Sequence, residues 1–270
     1  MPELPEVETV ARQLDQTLPG RRVGGLLVVD AKLAQLEALA PRLAGTVLGP
    51  VRRSGKRVVL SLWEAGGSPR GWLAVHLRMT GRLLDMDREA PDPAHLRLRL
   101  WLEPGRLDFT DTRRFGTVEW LTDPATLRPP GLDPLEAACT AAALAGLAAG
   151  SRAPLKAWLL DQSRITGLGN IYACEILHAC GLSPHRPAGR LRLEDWALLR
   201  REMRRILRLA IRHCGTTFRD FQDSRGVEGS FAGFLQVYGR AGLPCARCGG
   251  TVIRETQSQR GSWWCPGCQS

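Results

Sequence analysis

Four cysteines late in the sequence pair as Cys245-x-x-Cys248 and Cys265-x-x-Cys268, with sixteen residues between the pairs. Each pair can close a tight knuckle, and four thiolates saturate a tetrahedral zinc ion. No ligand position is left for water, so such an ion is structural rather than catalytic. An iron–sulfur centre or two disulfides also satisfy the spacing. Between the pairs, TVIRETQSQRGSWW reads as a hairpin whose tip, Gln257 to Gly261, displays Arg260. A hairpin carrying an arginine can probe nucleic acid, but spacing alone favours a solvated turn residue. A second chemistry lies at the other end. Loss of Met1 would expose the secondary amine of Pro2, with an unperturbed pKa of about 8. Its neutral fraction can attack a carbonyl-like carbon and form an iminium. Glu3 beside it could act as general acid or base. Most Met-Pro starts are only starts, and composition alone favours that reading.

Arginine is the general cation here. Of 37 basic residues only Lys32, Lys56 and Lys156 are lysine. A retained lysine can exchange a proton where an arginine cannot; chance retention is the competing reading, and it fits Lys32 best. Lys156 precedes a GLGN turn at 167–170 that opens a helix. Glycines at a helix N-terminus offer backbone N–H groups to phosphate, and Asn170 could bind phosphate or simply cap the helix.

These groups need elements to hold them. Residues 5–18 read as a helix, with Val7, Val10, Ala11, Leu14 and Leu18 on one stripe. Strand patterns follow at 23–30, 46–53, 57–63, 72–78, 95–102, 106–110 and 117–121. In HLRLRLWL the leucines face one way and His95, Arg97, Arg99 and Trp101 the other. RPPGLDP at 128–134 breaks the pattern and marks a hinge. Helices are expected at 134–149, 154–162, 171–180 and 193–213, the last with an arginine-studded face, and a loop at 215–234.

At 270 residues the chain has room for two domains and a small appendix. A net charge of +10 suits a polyanionic partner, and residues 200–270 hold twelve arginines against five acids. No window approaches the roughly 18 apolar residues of a membrane span. MPELPEVETV carries acids and prolines where a signal peptide has a basic region and an apolar core. A cytoplasmic setting is expected, nucleoid-associated if the partner is DNA, with Cys139, Cys174, Cys180 and Cys214 as small buried hydrophobes.

MPELPEVETV, HLRMTG at 76–81, TDTRRFG at 110–116, GLGNIYA at 167–173, QVYGR at 236–240 and QRGSWWCPGCQ at 259–269 together resemble bacterial formamidopyrimidine-DNA glycosylases. The likeness runs in order from residue 2 almost to the end. It implies an α+β fold: an N-terminal two-layer β-sandwich with flanking helices, then a helical helix-two-turn-helix domain with a four-cysteine zinc finger. The boundaries expected are 1–131, 132–235 and 236–270, with duplex DNA in the cleft between the domains. It also implies a bifunctional glycosylase and AP lyase that removes oxidised purines and cuts the strand by β- and δ-elimination; a monomer is expected, since the catalytic parts all reside in one chain.

The resemblance assigns roles by position. Pro2 is the nucleophile, Glu3 the proton donor, and Glu6 a second acid nearby. Lys56 serves the elimination steps, and Arg260 serves δ-elimination and phosphate binding. Met79, Arg113 and Phe115 fill the gap left by the everted base, which must leave the stack before chemistry can reach it. Lys156, Asn170, Arg152 and His95 contact phosphates. Cys245, Cys248, Cys265 and Cys268 hold one structural zinc, and 217–231 covers the lesion. Thr112 stands where the family often has Pro, and Arg152 is all that remains of a basic run. A silent DNA-binding relative would have no reason to keep Pro2, Glu3, Lys56 and Arg260 together. Leu4 separates the chain from the endonuclease VIII branch, which usually starts PEGPE.

Overall fold

The computed structural model describes residues 1–217 and 221–270. Its contacts form two compact units: Met1–Arg128 with His213–Ser230, and Pro129–Arg212 with Phe231–Ser270.

The first unit opens with α1 (Leu4–Thr17), whose N-cap Glu3 and third-position Glu6 form a reciprocal capping box. Its apolar stripe is buried as expected. Next come β1 (Arg22–Val28), a 3-10 stretch running into α2 (Ala40–Leu43), β2 (Val47–Ser54), β3 (Arg57–Trp63), β4 (Pro69–His76), β5 (Gly81–Met86), β6 (Leu96–Glu103), β7 (Arg106–Asp111) and β8 (Thr117–Leu121). All eight strands share one antiparallel sheet in the order β5-β7-β6-β1-β2-β3-β4-β8. Helix α1 packs on β2 and β3, and leucines and valines from α1 and most strands join one core. Each fully buried side chain of this kind is worth roughly 1.5–3 kcal/mol.

The alternation in β6 holds: Leu98, Leu100 and Leu102 enter the core. Its reverse face is not all solvent. Arg99 is 3% exposed, donates twice to Asp108 at 2.7 and 2.9 Å, and lies 4.8 Å over the Trp101 ring. Hydrogen bonds to both carboxylate oxygens are what make its burial tolerable.

The second unit holds α3 (Ala141–Ala148), α4 (Leu155–Leu160), α5 (Asn170–Cys180), α6 (Leu193–Arg212) and the hairpin β9 (Ile253–Gln257) and β10 (Arg260–Trp264). The helix expected over 134–149 is shorter. The Asp133 carboxylate accepts from Leu135 N–H at 2.9 Å and bends the chain, and Thr140 then caps α3 through Ala143 N–H at 3.1 Å. The arginine face of α6 is partly structural: Arg200 donates to the Cys139 carbonyl and Arg204 to that of Leu135. Cys139, Cys174 and Cys180 are buried and Cys214 half-buried; burial pushes the Cys139 thiol up to about 11 and Cys180 up to about 12.

The expected loop at 215–234 contains a bridge between Thr216 and Ser230 and a 3-10 turn at Phe231–Phe234. Within the expected covering segment 217–231, residues 218–220 lie outside the described residues. Among the described residues no helix is long and apolar enough to cross a membrane.

Candidate functional site

In the first unit, Pro2, Glu3 and Glu6 are all buried at the start of α1, with Met1 exposed in front of them. Glu6 does more than complement the helix dipole. Its Oε2 accepts from Glu3 N–H at 2.7 Å and its Oε1 from Thr216 N–H at 2.8 Å. Gly215 lies directly against it at φ +81°, where a Cβ would come within 2.7 Å of the Glu6 carboxylate. Only glycine meets both demands.

Lys56 occupies the turn between β2 and β3, after Gly55 at φ +59°. Its charge acts on His76 at the end of β4. Burial, then the charges of Arg78, Lys56 and Arg57, push His76 down to about 4. The ring is therefore neutral at pH 7, and its Nδ1 accepts from Arg78 N–H at 3.1 Å.

The expected wedge residues come together. Phe115 is 50% exposed, and the Arg113 guanidinium lies 4.7 Å over its ring. Asp111, buried to 1% exposure, organises the loop. Its carboxylate accepts from Phe115 N–H at 2.8 Å, Gly116 N–H at 2.7 Å, Arg113 N–H at 3.2 Å and the Thr80 hydroxyl. Thr80 follows Met79, so one carboxylate ties both wedge segments. Arg114 grips Asp30 with two nitrogens, and this pairing holds the Asp30 carboxyl at about 2. Met1, Met79 and Phe115 line a cleft of about 840 Å³ with Lys32 and Arg78. His95 is exposed at φ +62°, and its carbonyl accepts from Asp111 N–H at 3.0 Å.

In the second unit, Lys156 and Asn170 converge on the hairpin. Lys156 is 1% exposed, and its Nζ donates to the Gly261 carbonyl at 2.7 Å; Asn170 Nδ2 donates to the same oxygen at 3.0 Å. Asn170 does not cap α5, because Gly169 holds the N-cap position and Asn170 is the first helical residue. Its neighbour turn is clamped instead by Gln162, which accepts from Gly167 N–H and donates to the Leu168 carbonyl. Arg260 is exposed at the start of β10, after a two-residue turn with Ser258 and Gln259 both at positive φ. Arg152 is exposed in the loop before α4.

The four finger cysteines cluster, with all Sγ atoms within 4.8 Å of one another. Two separations are 3.5 Å (Cys248–Cys265) and 3.8 Å (Cys245–Cys268). Thiolates about 2.3 Å from a tetrahedral zinc lie about 3.8 Å apart, so the set fits that ion. A disulfide would bring two sulfurs to about 2.05 Å. Hydrogen bonds from His178 and from the backbone of Arg247 and Cys248 lower the Cys245 thiol against its burial, whereas burial and the neighbouring thiols push Cys265 and Cys268 up, so the spacing of the sulfurs carries the zinc assignment.

Three family models match in succession: the formamidopyrimidine-DNA glycosylase N-terminal domain over residues 1–118, its H2TH domain over 131–222, and a zinc finger found in FPG and IleRS over 242–270. A formamidopyrimidine-DNA glycosylase of Xanthomonas campestris is 41% identical over the full length of both chains. The chain belongs to the formamidopyrimidine-DNA glycosylase family. A Synechocystis glycosylase of that name is 40% identical over all of this chain and 98% of its own. A Lactococcus lactis FPG mutant solved with Fapy-dG-containing DNA superposes over the whole of both chains with TM-score 0.90 at 29% identity. MutM with DNA containing carbocyclic 8-oxo-G does so at 0.89 and 30%. One structural zinc belongs to this glycosylase fold, held by Cys245, Cys248, Cys265 and Cys268.

Sequence reasoning about this family member overlooked Asp111 as the organiser of the wedge. It also overlooked Glu175, a buried α5 acid whose carboxylate accepts from the N–H groups of Gln236, Val237 and Tyr238 at 2.8, 3.0 and 2.8 Å. An acid inside the apolar run ACEILHAC was the available signal.

Proposed function

We propose that the protein is a bifunctional DNA glycosylase and AP lyase that excises oxidised purines, 8-oxoguanine and formamidopyrimidines, from duplex DNA in base excision repair. Loss of Met1 frees the Pro2 nitrogen, which attacks C1′ of the damaged nucleotide as the C1′–N bond to the base breaks. Glu3 delivers a proton as the sugar ring opens, leaving an iminium on Pro2. Glu6 holds the Glu3 backbone still. Lys56 moves protons in the β- and δ-eliminations, and Arg260 binds the phosphate that leaves in the second. Met79, Arg113 and Phe115 fill the vacated stack. Lys156 and Asn170 position the hairpin behind Arg260, with Arg152 and His95 as phosphate contacts. Zinc takes no part in the chemistry; it shapes the hairpin. Duplex DNA is the partner of a chain organised as domains 1–131 and 132–235 with the finger at 236–270.

The observation that carries this reading is the start of α1: a proline and two carboxylates buried together with their backbone locked by Glu6 and Gly215. A relative in Lactococcus lactis has been solved with oxidised-pyrimidine-containing DNA, which favours a broader lesion range as the second reading. Borohydride trapping tests both. With 8-oxoguanine opposite cytosine, a reduced adduct mapping to Pro2 is expected. Duplex binding with no adduct would refute the lyase, and a stronger adduct with oxidised pyrimidine would refute the purine preference alone. Lys56→Arg keeps the charge and loses the titratable amine, so slower strand cleavage is expected with binding retained.

A further inference from the structure

Helix α5 carries a buried histidine that the chemistry above does not use. His178 is 5% exposed, and its Nε2 lies 3.2 Å from Cys245 Sγ. The sulfur sits in an apolar cluster with Cys174, Val237, Val252 and Cys265, surroundings that strengthen a hydrogen bond. In a free thiol either atom could carry the shared proton. A zinc thiolate has none, so the proton must come from the imidazole, which places a hydrogen on Nε2. The helix is held to the same segment twice more: Arg247 Nη1 donates to the His178 carbonyl at 3.2 Å, and Glu175, one turn earlier, seats residues 236–238.

We propose that His178 is a positioning residue for the zinc centre: it donates Nε2–H to the Cys245 thiolate, retains the metal and shields that sulfur from electrophiles. The proposal rests on the zinc assignment. Groups that orient metal ligands from behind are worth roughly 10–100-fold in metal affinity. The hydrogen bond also draws on a sulfur lone pair that an alkylating agent would need, so Cys245 reacts slowly. Cys248 is exposed and has no histidine beside it among the described residues, and it serves as the internal comparison.

The zinc-loaded full chain provides the test. Nitrogen-15 correlation spectra of the histidine rings, with His178 assigned by its loss in His178→Phe, should show its Nε2 protonated. Zinc transfer to a colorimetric chelator should be at least tenfold faster in His178→Phe. His178→Gln keeps an N–H donor and should fall between the two. N-ethylmaleimide labelling mapped by peptide mass should rise at Cys245 relative to Cys248 in His178→Phe. A ring protonated at Nδ1 with a bare Nε2, or a His178→Phe variant that releases zinc at the wild-type rate, overturns the proposal. If that variant does not fold, the rings are assigned from backbone correlations in the wild type, and the protonation of Nε2 decides. Metal analysis is a separate readout: a wild-type chain without stoichiometric zinc would refute the metal assignment itself.

Discussion

Lys156 and Asn170, on two different helices, donate to one acceptor, the carbonyl oxygen of Gly261. That oxygen follows Arg260 in the chain, so the two side chains set where the hairpin arginine begins. Lys156→Met keeps the apolar stem and deletes the ammonium. A hydrogen bond from a charged donor is worth about 1.5–3 kcal/mol, and a loss of unfolding free energy of that order is expected, with duplex affinity at least tenfold weaker. Asn170→Asp sets a carboxylate against the same carbonyl and should be worse. Equilibrium unfolding and gel-shift titration measure both.

Asp111 accepts four hydrogen bonds from the segments that carry Met79, Arg113 and Phe115. Asp111→Asn replaces one acceptor oxygen by a donor facing N–H groups. The wedge should loosen more than the fold. We expect roughly tenfold weaker binding to a duplex with an abasic analogue, and a reduced 2-aminopurine signal for base eversion. An unchanged signal would mean the wedge does not depend on this carboxylate.

His76 gives the folded protein a definite acid response. Its pKa falls from 6.5 unfolded to about 4 folded, chiefly by burial. Above pH 6.5 the ring is neutral in both states and contributes nothing. Below that the unfolded chain takes up the proton first, so stability falls as pH drops from 6.5 to 4 and then levels off. The full loss is about 3 kcal/mol. The stability difference between wild type and His76→Gln should follow this curve in urea titrations; a flat difference would contradict a neutral buried ring.

Removing zinc should abolish duplex binding while the Met1–Arg128 sheet keeps its thermal transition. Binding by the zinc-loaded protein should also weaken steeply with salt, because phosphate contacts release counterions. Undiminished binding by the metal-free chain would deny the finger any part in holding DNA.

Much of this was legible where the signal is local in sequence. The Pro2–Glu3 start, the TDTRRFG and GLGN segments and each Cys-x-x-Cys pair sit within a few residues, and the structure gives each one a compact setting. The helix expected over 134–149 starts later because an Ala- and Leu-rich stretch has high helix propensity, while the chemistry that delays its start resides in Asp133 and Thr140. Partnerships across distance were not legible. Nothing near Glu175 indicates residues 236–238, and nothing near Glu6 indicates Thr216, 210 positions away. The buried Arg99 reads as an outward strand residue until its acid, Asp108, arrives on the neighbouring strand.

The zinc finger looks like an exchangeable cassette, with every ligand inside one short stretch and a pattern known from two kinds of enzyme. Its attachment says otherwise. Gln269 Nε2 donates to the Leu182 carbonyl at 2.9 Å, Ser270 N–H to that of Gly181 at 3.1 Å, and Ser183 N–H returns a bond to Ser270. None of these atoms touches metal. Recombination that swapped in a foreign finger would transmit the ion and lose the fit. The heritable module is therefore finger plus helix α5, and a chimera cut between them should bind zinc without gaining function.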